Sequence, residues 1–413
     1  MKSQESLARQ VWKRMRRNRV GMLGLVVICL SVMVAILGYL IMPDSTPLAN
    51  DQKPELTIKK PGFSVQMLKV SKNEDVEIVN VFSRMIFGQK SPYRSIPITA
   101  YHFDGPEIVV NEYTGNDEDK GLEKRYNLAD VVYALSYENP EVKEVGQSLQ
   151  FTTINGEVKS EPVKELQRRV EDKFLITRTY WLGTDRSGRD LLSRLMGGTR
   201  VSLSVGFISV MISLVIGILM GAIAGFFRGR VDDVILWIIN VVWSIPTLLL
   251  VIAIALALGK GFWQVFVAVG LTMWVEVARV VRGQVLSIRE KEYIEAGRAL
   301  GYQNFRLIIR HVLPNVMGPV IVISAANFAS AILIEAGLSF LGVGAPPPTP
   351  SWGSMIRDHY GYIIVDAAYL AILPGLAISM MVLAFTLVGN ALRDAFDTKG
   401  ASNQSISSGP GLG

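Results

Sequence analysis

Six strongly apolar stretches of this chain carry no charged side chain: residues 21–42, 201–227, 234–258, 261–275, 312–334 and 367–392. About 20 consecutive apolar residues suffice for a helix to cross the hydrocarbon core of a bilayer. Hydrophobic residues make up 50% of the chain and charged ones 19%. Mean hydropathy is +0.32. That is too apolar for an ordinary soluble protein. The expectation is an all-α polytopic membrane protein with six transmembrane helices.

The basic residues orient those spans. Lys2, Arg9, Lys13, Arg14, Arg16, Arg17 and Arg19 precede the first run, which puts the N-terminus in the cytoplasm by the positive-inside rule. Arg228 and Arg230 follow the second run, and Arg279, Arg282, Arg289, Lys291, Arg298, Arg306 and Arg310 lie between the fourth and fifth. Arg393 and Lys399 follow the sixth, whereas the short loops of the opposite side hold only Lys260 and Arg357. Both termini are therefore expected inside. The first run is too long for a cleaved signal peptide, and no small-x-small site follows at 39–44. Before it, residues 1–19 read as a basic interfacial segment bearing Trp12 and Met15. Because the net charge of +6 gathers beside apolar runs and not on an aromatic-laced basic face, nucleic acid is not an expected partner.

Residues 43–180 interrupt the pattern. Long translocated segments ignore the charge rule, so this stretch reads as an inserted extracytoplasmic α+β domain. Asn155-Gly156 suits a type I′ turn in a hairpin over 152–159. Alternation suggests strands at Glu107–Glu112 and 75–81. Ser160 is a candidate cap for a helix presenting Val163, Leu166, Val170 and Phe174 on one face. The five-helix remainder spans 181–397. The Gly/Ser-rich end, 398–413, is expected to be disordered.

Several chemistries are excluded or disfavoured. Cys29, the one cysteine, rules out an intrachain disulfide and a CxxC site. His102, His311 and His359 are far apart, so no metal site is expected. No Gly-x-Ser-x-Gly elbow is present, and His311 and His359 fall in connections on opposite sides. An intramembrane hydrolase is disfavoured, and no catalytic residue is assigned. The phosphate-binding pattern Gly-x4-Gly-Lys-Ser/Thr is also absent.

A charged, helix-favouring island, residues 289–314, follows the fourth run and reaches the start of the fifth, overlapping a cytoplasmic loop at 283–312. Gly301 suits the left-handed position that ends a helix. Asn304 can begin a second short helix, and Pro314 stands at the entry to the fifth span. Ala296 and Gly297 are small enough for another surface to approach, with Glu292 and Glu295 available for polar contacts. Glu295-Ala296-Gly297, then Gly301, then Leu313-Pro314 resembles the EAA loop of ABC importer permeases. Gly297 replaces the usual second Ala, and His311 replaces the usual Ile. Trp181-Leu182-Gly183-Thr184-Asp185, Gly188-Arg189-Asp190-Leu191-Leu192-Ser193-Arg194, Glu335-Ala336-Gly337-Leu338-Ser339-Phe340-Leu341-Gly342, Pro347 to Gly353, and Arg393-Asp394 resemble segments of the oligopeptide/dipeptide permease family, C-type subunit.

The resemblance implies a type I ABC importer in a bacterial inner or plasma membrane. It implies a homologous second permease, two cytoplasmic ATPases and an extracytoplasmic substrate-binding protein. This chain would form half of the pathway and bind no cofactor, with ATP and Mg on the ATPases. The coupling residues would be Glu292, Glu295, Ala296, Gly297, Gly301, Leu313 and Pro314. Asn240 departs from the acidic residue common there. Gly217, Gly221 and Gly225 form a packing stripe in the second span. Glu335 is a candidate for the external vestibule, since a charge at membrane depth should face protein or water. Glu276 and Arg279 are spaced to pair on a helix. Peptide uptake is the leading reading. Nickel or antimicrobial-peptide uptake and a membrane-anchored external interaction protein are the alternatives.

Overall fold

The structure is a computed structural model that describes residues 7–116, 121–259 and 261–397. Lys2, Lys260, Lys399 and the 398–413 tail lie outside the described residues. The chain forms two compact units, one of residues 1–35, 198–363 and 368–413, the other of residues 36–197 and 364–367.

The chain begins with α1 (Leu7–Met15) and α2 (Arg19–Ile41), whose last turn opens the α+β unit. There follow β1 (Phe63–Ser71), α3 (Val81–Phe87), β2 (Tyr93–Asp104), β3 (Glu107–Glu112), β4 (Leu122–Asn127), α4 (Leu128–Val132), β5 (Lys143–Val145), β6 (Ser148–Thr152), β7 (Val158–Pro162), α5 (Val163–Arg169) and β8 (Leu175–Tyr180). Among the described residues, one antiparallel sheet has the order β4-β3-β2-β1-β8 and a smaller one the order β5-β6-β7. Period-two burial on the strands and the helical stripe Leu166, Val170 and Phe174 meet in one core with Leu68, Ile96, Ile108 and Leu149.

Three local expectations for this unit need correction. Residues 75–81 are not a strand: alternation there has no partner to pair with, and Val81 instead opens α3. The β6–β7 hairpin turns through Thr153–Gly156, with Gly156 N–H donating to Thr153 O. Only Gly156 has positive φ, so this is a type I turn with a glycine bulge and not type I′. Ser160 lies in β7, and the helix begins after Pro162 without a side-chain cap.

The segment ahead of the second span ends this unit as a knot of buried charge. Asp185 is held by Arg189 Nε at 2.7 Å and Arg194 Nε at 3.4 Å. Asp190 Oδ1 accepts from Ser193 N at 2.7 Å, and Ser193 Oγ accepts from Asp44 N at 2.9 Å. These bonds tie the start of α6 (Leu191–Phe227) to the residues just beyond α2.

The helical unit continues from α6 with α7 (Gly229–Ser244), α8 (Thr247–Leu258), α9 (Phe262–Arg289), α10 (Glu292–Ala299), α11 (Asn304–Leu307), α12 (Leu313–Phe340), α13 (Trp352–His359) and α14 (Tyr369–Phe396). Small residues let these helices approach. A Cβ on Gly24 of α2 would meet Ala384 O of α14 at 2.7 Å. Phe328 of α12 stacks on Phe385 of α14, centroids 4.3 Å apart.

Among the described residues five helices are long and apolar enough to cross a membrane, or six if the third run, which forms the pair α7 and α8 bent by 95°, makes one broken span. Pro246 supplies no N–H and forces Ile245 into an extended conformation (φ −92°, ψ 130°), which ends α7. Hydropathy alone cannot see this, because the apolar run is continuous across the break.

Candidate functional site

The 289–314 island is built onto the end of α9. That helix runs to Arg289, farther than its uncharged run, because Val281, Val285 and Ile288 continue its buried stripe. Arg282 grips both carboxylate oxygens of Asp232 of α7 through its Nε and Nη2, at 2.6 and 2.7 Å. Arg279 lies 3.4 Å over the Trp243 ring and donates to Asn240 Oδ1 at 3.0 Å. It does not pair with Glu276 as the spacing suggested, because the indole face and the amide of α7 are nearer. Asn240 thus does the accepting, without a charge.

The turn out of α9 is closed from the α6–α7 connection. Arg289 donates to Phe226 O, and Arg228 Nη2 donates to Glu290 Oε1 at 2.5 Å. That guanidinium holds the Glu290 carboxyl below the usual carboxylate range. Helix α10 follows, with Glu292 and Glu295 in its first turn, where carboxylates complement the helix dipole. Gly301 ends it at φ +79°. Tyr302 N–H donates to Gly297 O at 3.0 Å and Gly301 N–H to Arg298 O at 2.9 Å, the paired closure of a Schellman motif.

Gly297 faces inward. A Cβ there would meet Leu307 Cδ2 of α11 at 2.8 Å and Tyr302 Cδ2 at 3.4 Å. Its smallness therefore seats α11 on α10, not an outside surface on α10 as the sequence suggested. Ile294, Leu307, Val312 and Val316 bury together with the α9 stripe. Tyr302 stacks on His311 at 6.0 Å, and the Arg306 guanidinium lies 4.5 Å from the Tyr302 ring centroid. From α11 a π-helical turn, Ile308–Val312, feeds α12, where Leu313 is half-buried and Pro314 is exposed in the first turn.

The outer face is what remains. Glu292, Tyr293, Glu295 and Ala296 are exposed, and Leu300 and Phe305 each expose 73% of their surface. Two large apolar side chains held open beside two carboxylates make a surface shaped for contact. Neither Leu300 nor Phe305 stood out in the sequence. Their signal was apolar residues on the side of the island opposite Ile294 and Leu307.

The other candidates lie elsewhere in the helical unit. Gly217, Gly221 and Gly225 line the contact of α6 with α9: their Cβ positions fall 2.5 Å from Val277 Cβ, 2.5 Å from Ala278 O and 2.9 Å from Arg282 O. Glu335 is fully buried, so it does not open onto a vestibule. Its carboxylate takes Ser339 Oγ at 2.7 Å and Ser202 Oγ at 3.4 Å, with Ser351 as a further partner. The cap turn of α13 covers it: Gly353 packs on the backbone of Ala336, and Gly198 packs on Trp352. Among the described residues no group of His, Cys, Asp and Glu gathers as a metal site.

Residues 217–400 match the family described as the binding-protein-dependent transport system inner membrane component. Residues 6–57 match the N-terminal TM domain of oligopeptide transport permease C. The glutathione transport system permease protein GsiD of Pectobacterium atrosepticum is 40% identical over 53% of this chain and 73% of its own length. The chain belongs to this permease family. Family members of similar likeness include the oligopeptide permease OppC of Bacillus subtilis, 37% identical over 54% of this chain and 73% of its own. The di/tripeptide permease DppC of Pseudomonas aeruginosa is 42% identical over 55% and 77%. A solved inward-facing MetNI methionine ABC transporter overlaps with a TM-score of 0.41 at 19% identity, over 49% of this chain and 95% of that one. The two family matches leave residues 58–216 outside them, and most of the α+β unit lies there. The chain is thus a mostly helical, multi-pass permease subunit of an ABC importer.

Proposed function

We propose that this permease carries peptides, and that it takes up the work of separate ATPases through the outer face of the 289–314 island. The observation that carries the coupling role is the way α10 is held. The Schellman closure, the Gly297–Leu307 seat and the Arg228–Glu290 bridge fix its orientation while leaving Glu292, Tyr293, Glu295, Leu300 and Phe305 outward. A rigid lever with an open contact face can pass a partner's movement into α9 and α12, between which it lies. The peptide cargo rests on the names of the relatives, which are glutathione, oligopeptide and dipeptide permeases.

In this reading a homologous permease completes the pathway. Two ATPases carry ATP and Mg, this chain holds no cofactor, and an external protein delivers substrate. Both termini and the island lie in the cytoplasm, and the α+β unit lies outside, as the basic loops imply. The test is Phe305→Glu in the assembled importer. Substrate-stimulated ATP hydrolysis should collapse while the purified permease stays folded. Stimulation equal to the parent's, with intact assembly, refutes the coupling face. Peptide-stimulated turnover of the parent tests the cargo separately.

A further inference from the structure

Helix α3 is well made and leaves its large apolar side chains, Met85 apart, exposed. Asn80 caps its start, with Oδ1 accepting from Ser83 N at 2.7 Å, and Gly88 ends it at φ +78° with its N–H on Arg84 O. Yet no residue of α3 is buried. Ile78, Val81, Phe82, Ile86 and Phe87 expose between 48% and 91% of their surface. A seven-residue helix does not hold in water on its own propensity. Its apolar face has to be covered.

The base of this arm shows by what. Gln89 clamps it: the side-chain Oε1 accepts from Val79 N at 3.1 Å, and Nε2 donates to Glu77 O at 3.0 Å. Its backbone N–H donates to Ser45 O at 2.9 Å, and Gly88 packs so tightly on Ser45 and Pro47 that a Cβ would not fit. Ser45 is four residues beyond the end of α2, and its neighbour Asp44 is bonded to Ser193 in the first turn of α6. The apolar run of α2 therefore ends close to the point to which the arm is fixed, and α6 starts there, at Leu191, ahead of its own uncharged run at 201–227. Four extended residues reach at most about 14 Å, and the headgroup zone of one leaflet is about 5–8 Å deep.

We propose that residues 77–88 form a membrane-surface anchor that lays Ile78, Val81, Phe82, Ile86 and Phe87 into the lipid interface of the leaflet where α2 ends. The proposal rests on α2 and α6 spanning the bilayer and on nothing about cargo. Apolar side chains on a short helix, fixed by a polar clamp beside the end of a span, are what such an interface takes up. The anchor would fix the level of the α+β unit against the membrane independently of the spans themselves.

The test uses the assembled importer in nanodiscs of phosphatidylethanolamine and phosphatidylglycerol, in a Cys29→Ser background. A fluorophore is attached at Phe82→Cys and, separately, at Ile86→Cys. Brominated acyl chains should quench both labels, and aqueous iodide should not. Gln89→Ala should shift quenching from lipid to iodide. Quenching by iodide alone overturns the proposal, as does quenching by neither agent, which would mark a protein partner over the patch. A reference label at Ile36→Cys, exposed on α2, reports separately on the span. If brominated lipid fails to quench it, the span reading fails and not the anchor alone.

Discussion

Gly297→Val is the most informative single change. Replacing glycine inside α10 gains helix propensity, about 1 kcal/mol for alanine and less for a β-branched residue. Against that, the new Cβ falls 2.8 Å from Leu307 Cδ2 and 3.4 Å from Tyr302 Cδ2. Alanine meets only the swinging end of a leucine, so the two effects nearly cancel, and Gly297→Ala should be tolerated. Valine adds two methyl groups in the same closed space, and overpacking of that kind costs about 1–3 kcal/mol. A penalty of that size lowers the ratio of the form with α11 seated on α10 to the unseated form by roughly 5- to 150-fold. Substrate-stimulated ATPase activity of the assembled importer should fall accordingly, with basal hydrolysis unchanged. Leu307→Ala alone opens a cavity and costs about 2–5 kcal/mol, but in the Gly297→Val background it should cost less, since each change relieves the other. Stimulated turnover equal to the parent's in Gly297→Val, with normal assembly, would refute the seating argument. So would strict additivity in the double variant.

Other changes test other contacts. Glu335→Ala strands the Ser339, Ser202 and Ser351 hydroxyls and should cost about 1–3 kcal/mol, read as a lower melting temperature of the purified importer, with Glu335→Gln closer to the parent. Gly221→Val drives a side chain into Ala278 O, which cannot swing aside; about 1–3 kcal/mol or more of overpacking should appear as lost folded yield. Glu290 has its carboxyl held low by Arg228, so the bridge is intact above the usual carboxylate range and is lost as pH falls through that lowered value. Protection of the amides at residues 289–292 from hydrogen exchange, taken relative to the intrinsic rate at each pH, should fall on acidification, and Arg228→Ala should remove that change in protection.

Much of the helical unit was legible because a bilayer rewards simple patterns. Uncharged runs marked the spans, and Gly301 marked the end of α10 through the one conformation that glycine enters at little cost. What escaped were features set by pairing across distance. Asp232 and Arg282 stand 50 residues apart, and nothing local announces their bond. The orientation of Gly297 depends on Leu307, which only the fold brings up. Residues 75–81 alternate as a strand would, yet a strand needs a neighbour as well as a pattern, and none arrives. Glu335 was identifiable as a costly residue at membrane depth. Of the hydroxyls around it, Ser339 lies one turn along the same helix, but Ser202 and Ser351 come from other elements and were not.

The break at Pro246 has a consequence beyond the count of spans. Ile245 and Pro246 leave the helical ladder, and α7 and α8 meet there at 95°. Neither piece, of 16 and 12 residues, is as long as the roughly 20 residues a crossing takes. Acyl chains offer no hydrogen bonds to the backbone groups freed at such a corner. Trp243, Ile245, Leu248 and Leu249 surround it, all exposed in the isolated chain. This corner is therefore the side of the subunit that lipid tails cannot coat, and it must be turned toward water, headgroups or another polypeptide.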